Sequence, residues 1–383
     1  MQRGLVQRLT IWFGGCLVLL LIAEFDAWLY LKFHPTAPEL AQAPTGAKME
    51  SQRKMFPDLS EEEIRGMYFR YKQVYAPWVD FRNEDIDTPL VHVKDFLRKT
   101  EPEFSGSSEG AIEIFFFGGS TTQGVHVPDN RTLPSAFNQI AAKSSAISFR
   151  AFNYGQPYYY LKQETALFLS MLIDGRRPNV AVFLDGINEF QEPGASYRRT
   201  PFFSPAYEWI FTEQLYRVAD FTDILYSTNL YQALTGLRRT KRMAEVVPEG
   251  RAGQNFLPPD GVSTDEAIRG IADAYVTNVK VLHDLCRASG IICLFFLQPA
   301  PYLNYEGTFE DWTERPRMQG LEAGYERIKN QLRDVAAFSS LDDAFASPSE
   351  LPYVDRLHYS PYGNLVLAGL IHKIVHQQLQ KHD

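Results

Sequence analysis

The chain of 383 residues is 45% hydrophobic and carries a formal net charge of −8 at neutral pH. A chain of this length and apolar content can bury one sizeable core. Its acidic balance argues against a nucleic-acid partner, because contact with a phosphate backbone requires a basic face. The short basic run LRRTKR, Leu237 to Arg242, is the exception. It is interpreted either as a solvated helix face or as a contact for lipid headgroups or an anionic glycan.

The N-terminus has the pattern of a membrane anchor. Arg3 and Arg8 precede a mainly apolar stretch of 23 residues, 9–31, and a spanning helix needs about 20. Positive charges before such a helix predict a cytoplasmic N-terminus and place the rest of the chain on the outer, extracytoplasmic side. A cleaved signal peptide is the alternative, but its best small-residue site, 41–43, lies well beyond the apolar run. We therefore expect an uncleaved anchor over residues 1–34.

Two segments follow the predicted anchor. Residues 35–64 are rich in proline, alanine, serine and charged residues, which predicts a linker. Residues 65–110 are aromatic and amphipathic. We expect them to pack on the following domain as an N-terminal extension with no chemistry of their own.

The remainder, residues 111–383, alternates short apolar runs with longer helical stretches. This alternation is the signature of βαβ units and a parallel sheet. Strands are predicted at about 112–117, 148–153, 180–184, 291–297 and 338–341. Helices are predicted at about 133–143, 162–174, 264–289, 321–335 and 361–380. The expected fold is a three-layer α/β/α sandwich with a mainly parallel five-stranded sheet, preceded by one N-terminal transmembrane helix.

Two motifs at strand ends carry candidate chemistry. In IEIFFFGGSTTQG a buried strand runs into a glycine turn that presents Ser120. In YVDRLHYSPYGN, Asp355 and His358 stand three residues apart. The carboxylate can then orient the imidazole, and the imidazole can deprotonate a serine. Because ligands of open α/β sheets bind beyond the carboxyl ends of the strands, we expect the three side chains to meet there. Serine acyl chemistry is the leading hypothesis.

These motifs resemble the first and last sequence blocks of the SGNH (GDSL-like) hydrolase superfamily, in a membrane-anchored bacterial type with a GGST nucleophile turn. The two middle blocks have candidates in Gly155 and Asn188, which follow the second and third predicted strands. The chain departs from the family's Gly-Asp-Ser-Leu sequence at Gly119. The resemblance covers roughly Ile112 to the C-terminus, apart from an insertion, and implies a flavodoxin-like SGNH hydrolase fold.

The resemblance also implies a role for each site residue. Ser120 is the expected nucleophile, His358 the general base and Asp355 the carboxylate that fixes the imidazole tautomer. The implied donors to the oxyanion are the backbone N–H groups of Ser120 and Gly155 and the side-chain amide of Asn188. A glycine at 155 would let the backbone approach the substrate closely.

Residues 191–263 exceed what a minimal hydrolase of this type needs. Their apolar positions suggest two or three helices. Because the insertion follows the third predicted strand, it is expected to lie beside the active site and to form a cap that selects the substrate.

The remaining chemistry-bearing patterns are weaker. Cys286 and Cys293 are interpreted as two buried thiols or as a disulfide. Thiols are favoured, because a helix and the strand after it rarely bring two cysteines into bonding geometry. His372 and His376 are spaced to share a metal, but the glutamate of an H-E-x-x-H pattern is missing, which favours an exposed helix face. No metal and no cofactor are predicted.

Three functions remain open. The first is an extracytoplasmic, membrane-anchored serine esterase or deacylase acting on an O-acyl ester of a carbohydrate or lipid. The second is an O-acyltransferase that modifies a cell-surface glycan with the same triad. The third is a non-catalytic glycan-binding or scaffold protein on the same fold.

Overall fold

The computed structural model describes residues 12, 14–15, 18–29, 43–69, 71, 73–102, 110–144, 147–190, 263–305, 307 and 320–382. The predicted cap, the basic run and most of the predicted anchor lie outside these residues. Leu40–Phe202 and Gly253–Asp383 form one compact unit, which holds all the elements named below. Met1–Glu39 and Phe203–Ala252 form a second unit, in which residues 18–29 are helical. None of the helices in the described part of the chain is both long enough and apolar enough to cross a membrane.

Ten strands are present in the described residues. In chain order they are β1 Gln73–Ala76, β2 Asp80–Asn83, β3 Ile86–Asp87, β4 His92–Lys94, β5 Leu97–Arg98, β6 Ile112–Gly118, β7 Phe149–Asn153, β8 Val180–Asp185, β9 Ile292–Leu297 and β10 Phe338–Ser340. β1 and β2 form a separate antiparallel hairpin. The other eight form one sheet in the order β10-β9-β8-β6-β7-β5-β4-β3.

The five predicted strands, β6 to β10, form the parallel part of this sheet, with β10 at its edge. β8 is buried along its whole length, and β6 is buried from Ile114 onward. Burial on both faces is typical of parallel strands covered by helices, and it explains why their sequences read as continuous apolar runs. All five carboxyl ends therefore lie at one edge, where the candidate motifs follow.

The sheet has eight strands and not the predicted five, because the N-terminal extension adds β3, β4 and β5 as antiparallel strands. β5 joins the central sheet through the pairing of Arg98 with Asn153 on β7. Strands of two or three residues are too short to give a visible alternation of apolar and polar positions. The extension is thus part of the sheet and continues it at the β7 side.

Nine α-helices surround the sheet in the described residues. In chain order they are α1 Gly46–Met55, α2 Glu61–Gly66, α3 Ser120–Gln123, α4 Leu133–Ser144, α5 Leu161–Ile173, α6 Ile187–Phe190, α7 Thr264–Ser289, α8 Leu321–Leu332 and α9 Pro361–His382. α4 and α9 pack together on one face, where Phe116 of β6 meets Phe137 of α4. α5, α7 and α8 pack on the other face, where Phe117 meets Phe168 of α5. These contacts confirm the predicted three layers.

The segment predicted as a linker, 35–64, is partly folded. Its described residues include α1 and the start of α2. Phe56 and Ile64 are fully buried and share a cluster with Val127 and Val354, the neighbours of the two candidate motifs. Ser60 caps α2. Its hydroxyl accepts the backbone N–H of Glu63, and the Glu63 carboxylate accepts the backbone N–H of Ser60. A segment whose composition indicates a linker is therefore folded by its apolar contacts.

Cys286 and Cys293 form a disulfide and are not the free thiols that the sequence favoured. α7 ends at Gly290, whose φ of +69° places it in the left-handed region that glycine tolerates. The chain turns back at once into β9. The Cα atoms of the two cysteines are then 6.0 Å apart, within the bonding range.

Candidate active site

Ser120 lies where β6 ends, as the first residue of the one-turn helix α3. It is 8% exposed. The turn before it is tight, because a Cβ at Gly118 would lie 2.1 Å from the Thr122 hydroxyl oxygen. The turn after it closes on Gly124, which donates its N–H to the Ser120 carbonyl at a φ of +84°. Backbone geometry on both sides therefore fixes the serine at the carboxyl edge of the sheet.

Asp355 and His358 form a hydrogen-bonded pair within one turn of chain. His358 Nδ1 lies 2.7 Å from Asp355 Oδ2. Asp355 Oδ1 accepts the backbone N–H groups of Leu357 at 2.8 Å and of His358 at 2.7 Å. Burial would raise the pKa of Asp355, but the charge and hydrogen bonds of His358, with His126, hold it below its usual range. The carboxylate is therefore ionised and fixed in orientation.

The turn of Ser120 and the segment of His358 are neighbours. The His126 ring, shortly after the nucleophile turn, stands edge-on to the His358 ring with centroids 5.4 Å apart. Among the described residues, His358 bonds to Asp355 and not to the Ser120 hydroxyl. Such a catalytic hydrogen bond often tightens only when substrate binds.

Gly119 and the Asn188 side chain are in close contact. A Cβ at position 119 would lie 2.3 Å from the Asn188 side-chain nitrogen. The amide thus occupies the space that a side chain before Ser120 would need. Asn188 itself donates one amide hydrogen to the Tyr159 carbonyl at 2.7 Å. Its nitrogen carries a second hydrogen, which leaves one donor beside the serine turn.

Gly155 packs on the nucleophile turn but points its N–H elsewhere. A Cβ at this position would lie 2.3 Å from the backbone nitrogen of Gln123, so only glycine fits. Its own N–H donates to the Asn153 side-chain oxygen at 3.0 Å. The predicted donation to an oxyanion would require that bond to be shared or broken, so the role of Gly155 stays a prediction.

Arg98 is a structural residue of the site that the sequence did not reveal. Its side chain is fully buried, and its Nε donates to Asp129 at 3.0 Å. The same guanidinium donates to the carbonyls of Gly124 and Val127, both at 2.6 Å. Asp129 also lies 2.6 Å from His92 Nδ1 on β4. The N-terminal extension therefore holds the loop that follows the turn of Ser120.

A second unpredicted feature is a group of three carboxyls beside Asn188, of which Asp185 and Glu164 are buried and Glu189 is half-buried. Burial raises the pKa of Asp185 to about 7 and, together with the charge of Asp185, that of Glu189 to about 8. Burial and Asp185 also raise the pKa of Glu164 well above its ordinary value. Glu189 accepts the backbone N–H of Leu161 at 2.9 Å. No sequence signal joined these residues, because they lie on three separate elements.

His126, Asp355 and His358 each bring a potential ligand atom within 4.8 Å of the others. However, the 2.7 Å between His358 Nδ1 and Asp355 Oδ2 is the length of a charge-assisted hydrogen bond. Two tetrahedral zinc ligands with bonds of about 2.0–2.1 Å would lie about 3.4 Å apart. The geometry is therefore that of a carboxylate hydrogen-bonded to one imidazole, His358, with the His126 imidazole nearby. The expectation that His372 and His376 form an exposed helix face is wrong, because His372 is buried and both rings pack on Phe149.

No family model matches the sequence, and no curated protein matches it. Solved structures similar to this chain include the acetyl xylan esterase AlAXEase, with 15% identity, 69% of this chain and 100% of that chain covered, and a TM-score of 0.38. A lipolytic protein of the G-D-S-L family from Desulfitobacterium hafniense has 11% identity, coverage of 68% and 98%, and a TM-score of 0.36. The acetylxylan esterase Axe2 from Geobacillus stearothermophilus, as a catalytic mutant, has 13% identity, coverage of 70% and 95%, and a TM-score of 0.38.

Proposed function

We propose that this protein is a serine esterase in which Ser120, His358 and Asp355 act as nucleophile, general base and orienting acid. The observation that carries the proposal is the bond between His358 Nδ1 and Asp355 Oδ2, placed beside the turn that presents Ser120. Because the ionised carboxylate accepts from Nδ1, that nitrogen holds the proton of the neutral ring. Nε2 is then free to take the serine proton.

The reaction proceeds by acyl transfer to the enzyme and then to water. Ser120 Oγ attacks the ester carbonyl while His358 Nε2 accepts its proton, and Asp355 stabilises the imidazolium. The protonated His358 then donates to the leaving alcohol. The remaining amide hydrogen of Asn188 and the N–H of Ser120 are the proposed donors to the tetrahedral oxyanion. Water, activated by the same histidine, releases the acid.

The proposed substrate is an O-acyl ester of a carbohydrate or lipid, reached on the extracytoplasmic face of a membrane. Arg3 and Arg8 before the apolar run support that placement. The disulfide between Cys286 and Cys293 also supports it, because such bonds persist in oxidising compartments. Transfer of the acyl group to a glycan hydroxyl remains the alternative, since it differs only in the acceptor of the second step.

The test is to label and assay the full-length protein in detergent. We expect a fluorophosphonate probe to modify Ser120, and Ser120→Ala to abolish both labelling and hydrolysis of p-nitrophenyl acetate. Ser347→Ala, at an exposed serine, is the matched control and should behave as wild type. Labelling at Ser135 would overturn the assignment. A burst of product that turns over only when a glycan acceptor is added would identify a transferase.

A further inference from the structure

His126 is held in a costly backbone conformation beside the proposed catalytic pair. It lies three residues after α3, and its φ of +65° is in the left-handed region. Few non-glycine residues adopt this region, which costs free energy that the surrounding structure must offset. The side chain is 15% exposed. Packing therefore fixes where this imidazole points.

One side of the His126 ring is tied to the N-terminal extension. Nδ1 lies 3.2 Å from the carbonyl oxygen of Met67. The ring stacks on Tyr68, with centroids 3.9 Å apart and planes 11° from parallel. Both contacts come from the chain just after α2, so the extension reaches the site through this histidine.

The other side of the ring faces the proposed catalytic acid. His126 Nε2 lies 3.6 Å from Asp355 Oδ2, the oxygen that also lies 2.7 Å from His358 Nδ1. Asp355 Oδ1 is already occupied by two backbone N–H groups. The 3.6 Å separation is longer than a hydrogen bond, and a movement of about 0.5 Å would close it. Oδ2 thus lies between two imidazoles.

We propose that His126 is a positioning residue that shares Asp355 with His358 and orients that carboxylate during turnover. The inference rests on the proposed function, because it gives Asp355 the role of orienting acid. Both nitrogens of His126 face acceptors, whereas a neutral imidazole has one N–H. One tautomer bonds the Met67 carbonyl, and the other donates to Asp355.

The neutral state of His126 suits this role. Burial lowers its pKa to about 4, against the opposing effect of Asp355 and in the same direction as His358 and Lys48. A positively charged His126 would neutralise the Asp355 carboxylate and weaken its electrostatic stabilisation of the His358 imidazolium. A neutral one can donate a hydrogen bond and leave the charge available to His358. Tyr68, stacked on the other ring face, completes the groups around it.

Two substitutions test the two ring nitrogens of His126 separately. The Asn side chain reaches about as far as Nδ1, so His126→Asn keeps a donor toward Met67 and loses the one toward Asp355. The Gln side chain reaches about as far as Nε2, so His126→Gln keeps the donor toward Asp355. His283→Asn, at a half-buried histidine of α7, is the control. All three are made in the full-length protein.

The expected result is a loss in kcat of about 10-fold for His126→Asn with KM nearly unchanged, because one hydrogen bond to a charged group is removed. His126→Gln should recover most of the rate. The acidic limb of the pH profile should move upward by several tenths of a pH unit in His126→Asn, since a carboxylate that no longer accepts a hydrogen bond from His126 stabilises the imidazolium more strongly. A residue that only maintained the fold would not move that limb.

A second measurement is independent of activity. In a Ser120→Ala background, the ring signals of His358 are followed by NMR across the pH range, with His283 as the internal reference. The His358 titration should move upward in His126→Asn and stay in place in His126→Gln. Unmoved titration in both variants overturns the inference even if the esterase is active. If the His358 titration moves as expected but the protein with Ser120 intact shows neither hydrolysis nor probe labelling, the contact is supported and the esterase function is rejected.

Discussion

The side-chain amide of Asn188 fills the space next to Gly119, so that a Cβ at position 119 would lie 2.3 Å from its nitrogen. Real Cβ atoms do not approach other atoms this closely, so any side chain at 119 must displace the amide. Asn188 is held by its bond to the Tyr159 carbonyl at 2.7 Å. The glycine before the nucleophile and the proposed oxyanion donor therefore depend on each other.

The first prediction is that Gly119→Ala lowers kcat by about 10²–10³-fold, the usual cost of losing one oxyanion donor. The backbone at 119 has a φ of −78°, outside the left-handed region that favours glycine, so we expect the cause to be displacement of Asn188. Gly66→Ala is the matched control, because nothing lies within 4 Å of a Cβ there. Steady-state kinetics of both variants provide the measurement.

A double-mutant cycle tests whether Gly119 acts through Asn188. If it does, Asn188→Ala combined with Gly119→Ala should be no slower than Asn188→Ala alone, since residues in contact are not additive. Losses that multiply would mean that the added methyl group disturbs Ser120 directly.

The second prediction concerns the pair Asp355 and His358. Asp355→Asn should lower kcat by about 10³–10⁴-fold with little change in KM, because the amide favours the wrong imidazole tautomer. His358→Ala should be at least as severe, and the double variant should equal His358→Ala, since the two act as one unit. A rate near wild type for Asp355→Asn would show that another residue orients His358.

The parallel strands and the long helices could be predicted from the sequence because their patterns are local and extend over many residues. The parallel strands are continuous apolar runs, and α7 begins and ends at the residues predicted, from its capping Ser263 to Gly290. The short strands β3 to β5 carry too little pattern, and α1 was hidden by a composition typical of linkers. The disulfide depended on how sharply the chain turns at Gly290.

The candidate site was predicted in part for the same reason. Asp355 and His358 are three residues apart, so their hydrogen bond could be expected from the sequence. Arg98 lies 26 residues before its partner Gly124 along the chain, and nothing in the sequence marks it as the buried guanidinium of the site. The contact between His126 and Asp355 joins segments from opposite ends of the domain. Only the folded chain shows such pairs.

The third prediction is that Arg98→Met destabilises the protein by about 3–5 kcal/mol, because the buried Asp129 loses its guanidinium partner and keeps only its contacts with His92. The loop after α3 would also lose the donors to its carbonyls. Arg53→Met removes an exposed arginine from an ion pair with Glu61 and should change stability by less than about 1 kcal/mol. Chemical denaturation of both variants gives the comparison, and similar midpoints would refute the role of Arg98.

The last prediction is that stability falls as the pH rises from about 4.5 to about 8, because of the buried carboxyls. The pKa of Glu189 is raised from its ordinary value of 4.5 to about 8 by burial and by Asp185. Within this range the folded state keeps the proton that the unfolded state releases, so raising the pH favours unfolding. Below the pKa of Glu189 in the unfolded state, both states are protonated and stability does not change with pH through this group. Above its pKa in the folded state, the loss of stability is complete.

Glu189→Gln isolates this effect, because the amide oxygen can still accept the N–H of Leu161 but has no proton to lose. The free energy of unfolding of the variant should fall less steeply with pH than that of wild type, by up to about 1.4 kcal/mol per pH unit within this window. Glu322→Gln, at an exposed position of α8, should keep the wild-type slope. Urea denaturation of the three proteins between pH 4.5 and 8.5 measures the slopes. Parallel slopes for Glu189→Gln and wild type would show that Glu189 is ionised in the folded protein and that its burial is compensated by another group.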